Sequence, residues 1–194
     1  MARINLIDPD QAQGRTREVF ERVKAYYKMV PGLQRGLNYL PETTDALWTL
    51  SLSTAMEGSI REELKRVFFA VTAYEVECEY CTAAHMIALM GKKWSRQECV
   101  ELIEGTPSPR LTDKENAAVD FARMVGRRPA GVTDEMTDNL RALGWTDAQI
   151  VEIVASVALM RYTTTVASAL DVPLEEAMEG VGVSCGVPLD RLEG

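Results

Sequence analysis

The chain has 194 residues, 46% hydrophobic and 26% charged, enough for one globular domain with a sizeable core. A net charge of -8 with no Lys/Arg-rich block opposes attraction to a phosphate backbone, so no nucleic-acid partner is expected. MARINLIDPD lacks the apolar region of a secretory leader, and no stretch reaches the ~18 to 20 uninterrupted apolar residues of a membrane span, so a cytoplasmic protein with no membrane partner is expected.

Read in chain order, helix starts recur. Asp8 to Gln11, Ser59 to Glu62, Ser95 to Glu98, Thr112 to Glu115 and Thr146 to Gln149 each pair an N-cap oxygen with Glu or Gln three residues on. Gly58, Gly91, Gly105, Gly126 and Gly144 fall where a left-handed residue closes a helix without steric cost. Leu64, Val67, Phe68, Val71 and Tyr74 recur at helical spacing, as do Ile150, Ile153, Val154 and Val157. The spacing predicts helices over 9–29, 43–57, 60–75, 79–90, 95–104, 112–125, 133–143 and 147–170. No strand pattern or Asn-Gly hairpin competes, so the fold class is all-α in a single domain over 1–173. The glycine-rich 174–194 is expected to be an irregular tail. One weak repeat aligns the helix start at Trp94-Ser95 with that at Trp145-Thr146, each after a glycine.

CEYCTAAH, residues 78–85, holds two of the four cysteines and the single histidine. On a helix that begins at Cys78, Cys81 and His85 follow at i+3 and i+7, and all three share a face. The positive end of the helix dipole favours a thiolate at Cys78, and His85 could exchange protons with Cys81. Three readings compete. The residues could be plain core; the two thiols and the imidazole could supply three ligands of a zinc site, completed by Cys99, Cys185 or a carboxylate; or the pair could be redox-active. Redox chemistry fits best, because core packing gives no reason for the single histidine to lie beside the only CxxC. Four cysteines are too sparse for a disulfide scaffold.

CEYCTAAHMIALMG, with Tyr80 before its second cysteine and a capped helix after Gly91, resembles the AhpD-like, carboxymuconolactone decarboxylase superfamily. VPGLQRGLNYLPE before it and residues 111–173 after it extend the likeness over most of 1–173, with 59–105 as the motif-bearing core. The arrangement is most similar to the longer, peroxidase-related branch. That resemblance implies an AhpD-like helical fold with an N-terminal helical extension, assembled as a homo-oligomer. It also implies cysteine-dependent reduction of hydroperoxides through a dithiol/disulfide cycle, reset by an external thiol or dithiol. The decarboxylase branch typically lacks the cysteine pair, and no cofactor is expected. Carried over by position, Cys81 attacks the peroxide, Cys78 resolves, and His85 relays the proton. The dipole argument points instead to Cys78 as the more acidic thiol.

One position departs from the family pattern. Its peroxidase members carry a glutamate about three turns before the first cysteine, and the ungapped position here is Arg66. Glu62 and Glu63, which would need a small insertion or a shifted helix, and Glu75 and Glu77, nearer in sequence, are the candidate substitutes, each more readily read as solvated helix surface. Arg66 would favour a thiolate by its charge without serving as a base. Met86, Ile87, Leu89, Met90 and Cys99 are expected in the core, Trp94, Trp145 and Tyr162 as helix-turn anchors, and Cys185 as an exposed thiol. VPGLQRG lacks the spacing of a phosphate loop.

Overall fold

The structure, a computed structural model, describes residues 2–181. Ten α-helices follow one another among them: α1 (Gly14–Tyr27), α2 (Gly32–Leu37), α3 (Pro41–Met56), α4 (Glu62–Glu75), α5 (Glu79–Met90), α6 (Arg96–Ile103), α7 (Asp113–Arg127), α8 (Asp134–Ala142), α9 (Asp147–Leu170) and α10 (Glu176–Glu179). The described residues contain no strand, so the all-α expectation holds.

Local chemistry explains most boundaries. Ser95, Thr112 and Thr146 form complete capping boxes with Glu98, Glu115 and Gln149, and Gly58, Gly105 and Gly144 adopt left-handed φ of 93°, 105° and 84°. The Ser59 box does not form. The Ser59 amide and hydroxyl donate instead to Glu152 Oε1 on α9, at 2.9 and 3.0 Å, and α4 begins at Glu62 without a side-chain cap. A tertiary acceptor has outcompeted the local one. Asp8 caps only a 3-10 turn at Pro9–Gln11, so the single helix expected over 9–29 becomes that turn followed by α1. The short helix α2 begins within VPGLQRG and falls outside the helices that the spacing predicts. Gly91 is right-handed and Gly126 lies within α7, where a Cβ would sit 3.3 Å from Thr72 Cγ2.

The helix α4 forms the centre of the fold. Nine of its 14 residues are buried, and α5, α7 and α9 pack around it. One of the nine is Lys65, 1% exposed, whose ammonium bonds the Glu57 carbonyl and pairs with Glu152 at 3.2 Å. Glu152 also accepts the Ile60 amide at 3.1 Å, so one carboxylate ties α9 to the entry of α4. The two repeat tryptophans are alike in role. Trp94 donates to Glu63 under Arg110, and Trp145 donates to the Lys114 carbonyl under the Lys114 ammonium. Tyr162 departs from its expected anchor role and is 42% exposed, as Met90 departs from the core at 39%.

Within the segment expected to be irregular, the described residues 174–181 carry the short helix α10. Asp171 ends α9 in a left-handed conformation, and the chain returns so that Leu174, Met178 and Val181 pack on the core beside α10. Cys185, Gly182, Gly186 and Pro188 lie outside the described residues. By length and composition α9 could cross a membrane, and half of its most apolar window is buried inside the protein. Removing the Glu152 carboxylate would leave Lys65 buried and unneutralised. Glu152→Ala is therefore expected to lower unfolding free energy by about 3 kcal/mol in urea titration, against less than ~0.5 for exposed Glu18→Ala; equal losses would contradict the tie.

Candidate active site

The start of α5 brings the cysteine pair together. Cys78 is the N-cap, in extended backbone, and its sulfur accepts the Cys81 amide at 3.3 Å, where an Asp or Ser oxygen would ordinarily sit. Glu77 precedes it with a left-handed φ of 59°, which turns the chain sharply out of α4. Both thiols are buried and unbridged. Capping thus fixes the first sulfur against the second residue's amide.

The Cys78 thiol is lowered to about 7. The hydrogen bond from the Cys81 thiol contributes most; burial opposes it; the Ser168 hydroxyl and the Cys81 amide add to the lowering. The acidity expected from the helix dipole therefore falls on Cys78, through hydrogen bonds. His85 is lowered to about 3, by burial first and then by the positive charge of Arg66. At neutral pH it is an uncharged imidazole, with Phe69 tilted against its ring at 5.2 Å. Cys99, in α6, is fully buried and raised to about 11, chiefly by burial, which suits a core thiol.

A cavity of about 390 Å³ opens beside α5. Cys81 and His85 line it and Cys78 does not, although both cysteines are nearly buried, at 4% and 2% exposed. Tyr26, Tyr27 and Trp48 close one side in mutual edge-to-face contacts at 5.0 to 5.5 Å. Access and acidity are thereby divided between the two sulfurs.

None of the four candidate glutamates lines the cavity. Glu62 pairs with Arg66 and Lys92, Glu63 accepts Trp94 and pairs with Arg61, Glu75 pairs with Arg123 and Arg127, and Glu77 occupies the turn before Cys78. Arg66 does line it. So does Glu175, a carboxylate in the segment that follows α9. It accepts the Gly32 amide at 2.6 Å and the Tyr80 hydroxyl at 3.2 Å. Gly32 permits this approach, since a Cβ there would lie 2.9 Å from Val172 and 3.3 Å from Glu175 Oε1. No local sequence signal marks Glu175, because its role depends on α9 ending where it does. Among the described residues no group of three or more His, Cys, Asp or Glu side chains is placed to hold a metal.

This helical arrangement is an AhpD-like fold. A peroxidase-related protein of Ralstonia eutropha, described as an AhpD core, matches at TM-score 0.81 and 17% identity over 91% of this chain and 94% of that one. A peroxidase-related protein of Silicibacter matches at 0.78 and 21%, over 92% and 94%. The debrominase Bmp8, solved also as a cysteine-to-alanine variant with 2,3,4-tribromopyrrole, matches at 0.77 and 20%; its apo form covers 91% of this chain and 94% of that one. No protein-family model and no curated protein matches the chain.

Two measurements check the electrostatics. Thiolate absorbance of the reduced protein should rise with a midpoint near 7, vanish from that range in Cys78→Ser, and move upward in Cys81→Ala, which removes the largest stabilising hydrogen bond. A midpoint near 7 surviving in Cys78→Ser would overturn the assignment. For His85, the unfolded state binds a proton below its ordinary value near 6.5 and the folded state only below about 3. Stability attributable to His85 should therefore fall as pH drops from 6.5 towards 3. In urea titrations His85→Gln should flatten that part of the dependence; an unchanged slope would contradict it.

Proposed function

We propose that the chain reduces hydroperoxides with its dithiol, Cys81 attacking and Cys78 resolving. The observation that carries this reading is the division of labour: Cys81 lines the cavity, while Cys78, which does not, holds the acidic thiol. In the resting pair the Cys81 thiol donates to Cys78. Passing that proton to Cys78 leaves a Cys81 thiolate facing the substrate. The thiolate forms an S–O bond to the terminal peroxide oxygen as the O–O bond breaks, giving Cys81 sulfenic acid and an alkoxide. The alkoxide takes the proton held by Cys78, and neutral His85 can hand it on as donor and acceptor without holding the charge. The Cys78 thiolate then attacks the sulfenic sulfur and expels hydroxide, which becomes water on protonation. An external thiol or dithiol returns two electrons to the disulfide.

One observation favours a second reading. The Tyr26, Tyr27 and Trp48 wall suits a flat ring, and the Bmp8 likeness includes a complex with a brominated pyrrole. The same dithiol could then replace an aryl halogen by hydrogen, yielding arene, halide and disulfide. The reduced protein treated with one equivalent of cumene hydroperoxide should yield one equivalent of the alcohol and a Cys78–Cys81 disulfide by peptide mapping; Cys81→Ser should form neither. Bromide release from a brominated pyrrole, with no reaction towards hydroperoxide, would move the assignment to dehalogenation.

A further inference from the structure

Arg66 is the one cation among the described residues that line the cavity, and the dithiol cycle does not use it. It projects from α4 one turn before Phe69, the ring against His85. Its Nε and Nη2 donate to Glu62 Oε1 at 3.3 and 3.2 Å, and Nη2 also donates to Tyr26 Oη at 3.2 Å. Nη1 makes no hydrogen bond among the described residues. Glu62 is shared with Lys92, whose ammonium lies 3.0 Å from Oε2. One carboxylate thus serves two cations, and a positive charge is left over at the cavity.

The other charged group on the wall, the Glu175 carboxylate, forms no ion pair with Arg66 among the described residues. Glu175 is held by the Gly32 amide and the Tyr80 hydroxyl. Otherwise the walls are mostly aromatic and aliphatic, with Trp48, Leu52, Ile87, Leu159 and Met160 among them. The Arg66 side chain is only 13% exposed, so its field acts across a poorly screened space; its charge already disfavours a second cation at His85. An apolar chamber with one under-neutralised guanidinium complements an apolar body that carries a planar anion.

We propose that the substrate class is a carboxylate-bearing organic hydroperoxide, its carboxylate held by Arg66 and its apolar body by the aromatic wall while the peroxide meets Cys81. The hydroperoxide part rests on the function proposed above; the anion part does not. The position that would carry a relay base has become a specificity-determining cation.

Binding of two alcohols that cannot oxidise a thiol separates the parts. Calorimetry on the reduced protein compares 4-(2-hydroxypropan-2-yl)benzoate with its neutral counterpart, 2-phenyl-2-propanol. The carboxylate should bind about tenfold more tightly at low salt, with the preference shrinking as salt is raised. The ratio should fall to about one in Arg66→Gln and be partly retained in Arg66→Lys. A ratio near one in the unaltered protein, insensitive to salt, overturns the proposal even if Arg66→Gln does not fold; so does a preference that survives Arg66→Gln. An intact ratio in a protein inert to hydroperoxides would keep the anion site and remove the peroxidase reading. Hydroperoxide turnover with no preference would do the reverse.

Discussion

The Cys78 sulfur accepts the Cys81 amide, closing the first turn of α5, and it also accepts the Cys81 thiol. The site depends on this pair of contacts. A helix N-terminus leaves amide protons that need an acceptor, and a thiolate satisfies them better than a thiol. The amide that closes the first turn of α5 therefore also adds to the acidity of Cys78. Cys78 caps the helix from just outside it, and Cys81, one turn on, is the sulfur that lines the cavity.

Support for that geometry comes from α4. Its buried faces fix where α5 begins, and the Glu152–Lys65 pair fixes where α4 itself begins. The same helix carries Arg66 and Phe69 to the cavity wall. The cavity's other side is built from later chain: α9 supplies Leu159, Met160 and Thr163, and the return after Asp171 brings Glu175 to Tyr80. A site whose reactive atoms lie within one short segment thus has walls drawn from much of the chain.

That division explains what could be read from the sequence. The boxes at Ser95, Thr112 and Thr146 are local patterns with their expected geometry, whereas the single face expected of Cys78, Cys81 and His85 is divided, since Cys81 and His85 line the cavity and Cys78 does not. Ser59 shows the limit: its box is equally good on paper, and a carboxylate about ninety residues away captures its donors. Glu175 was illegible for the same reason, since nothing near it in sequence announces Tyr80 and Gly32 as partners. The acidity of Cys78 was foreseen from the dipole, whereas the depressed basicity of His85 depends on burial and on Arg66, which only packing reveals.

The central claim is that acidity and access reside on different sulfurs, with the accessible one reacting first. Its most direct test is dimedone trapping of sulfenic acid within the first turnover, read by peptide mass spectrometry on Cys78→Ala and Cys81→Ala proteins. The account predicts an adduct on Cys81 in the first variant and none on Cys78 in the second. An adduct on Cys78, with Cys81 unmodified, would contradict it.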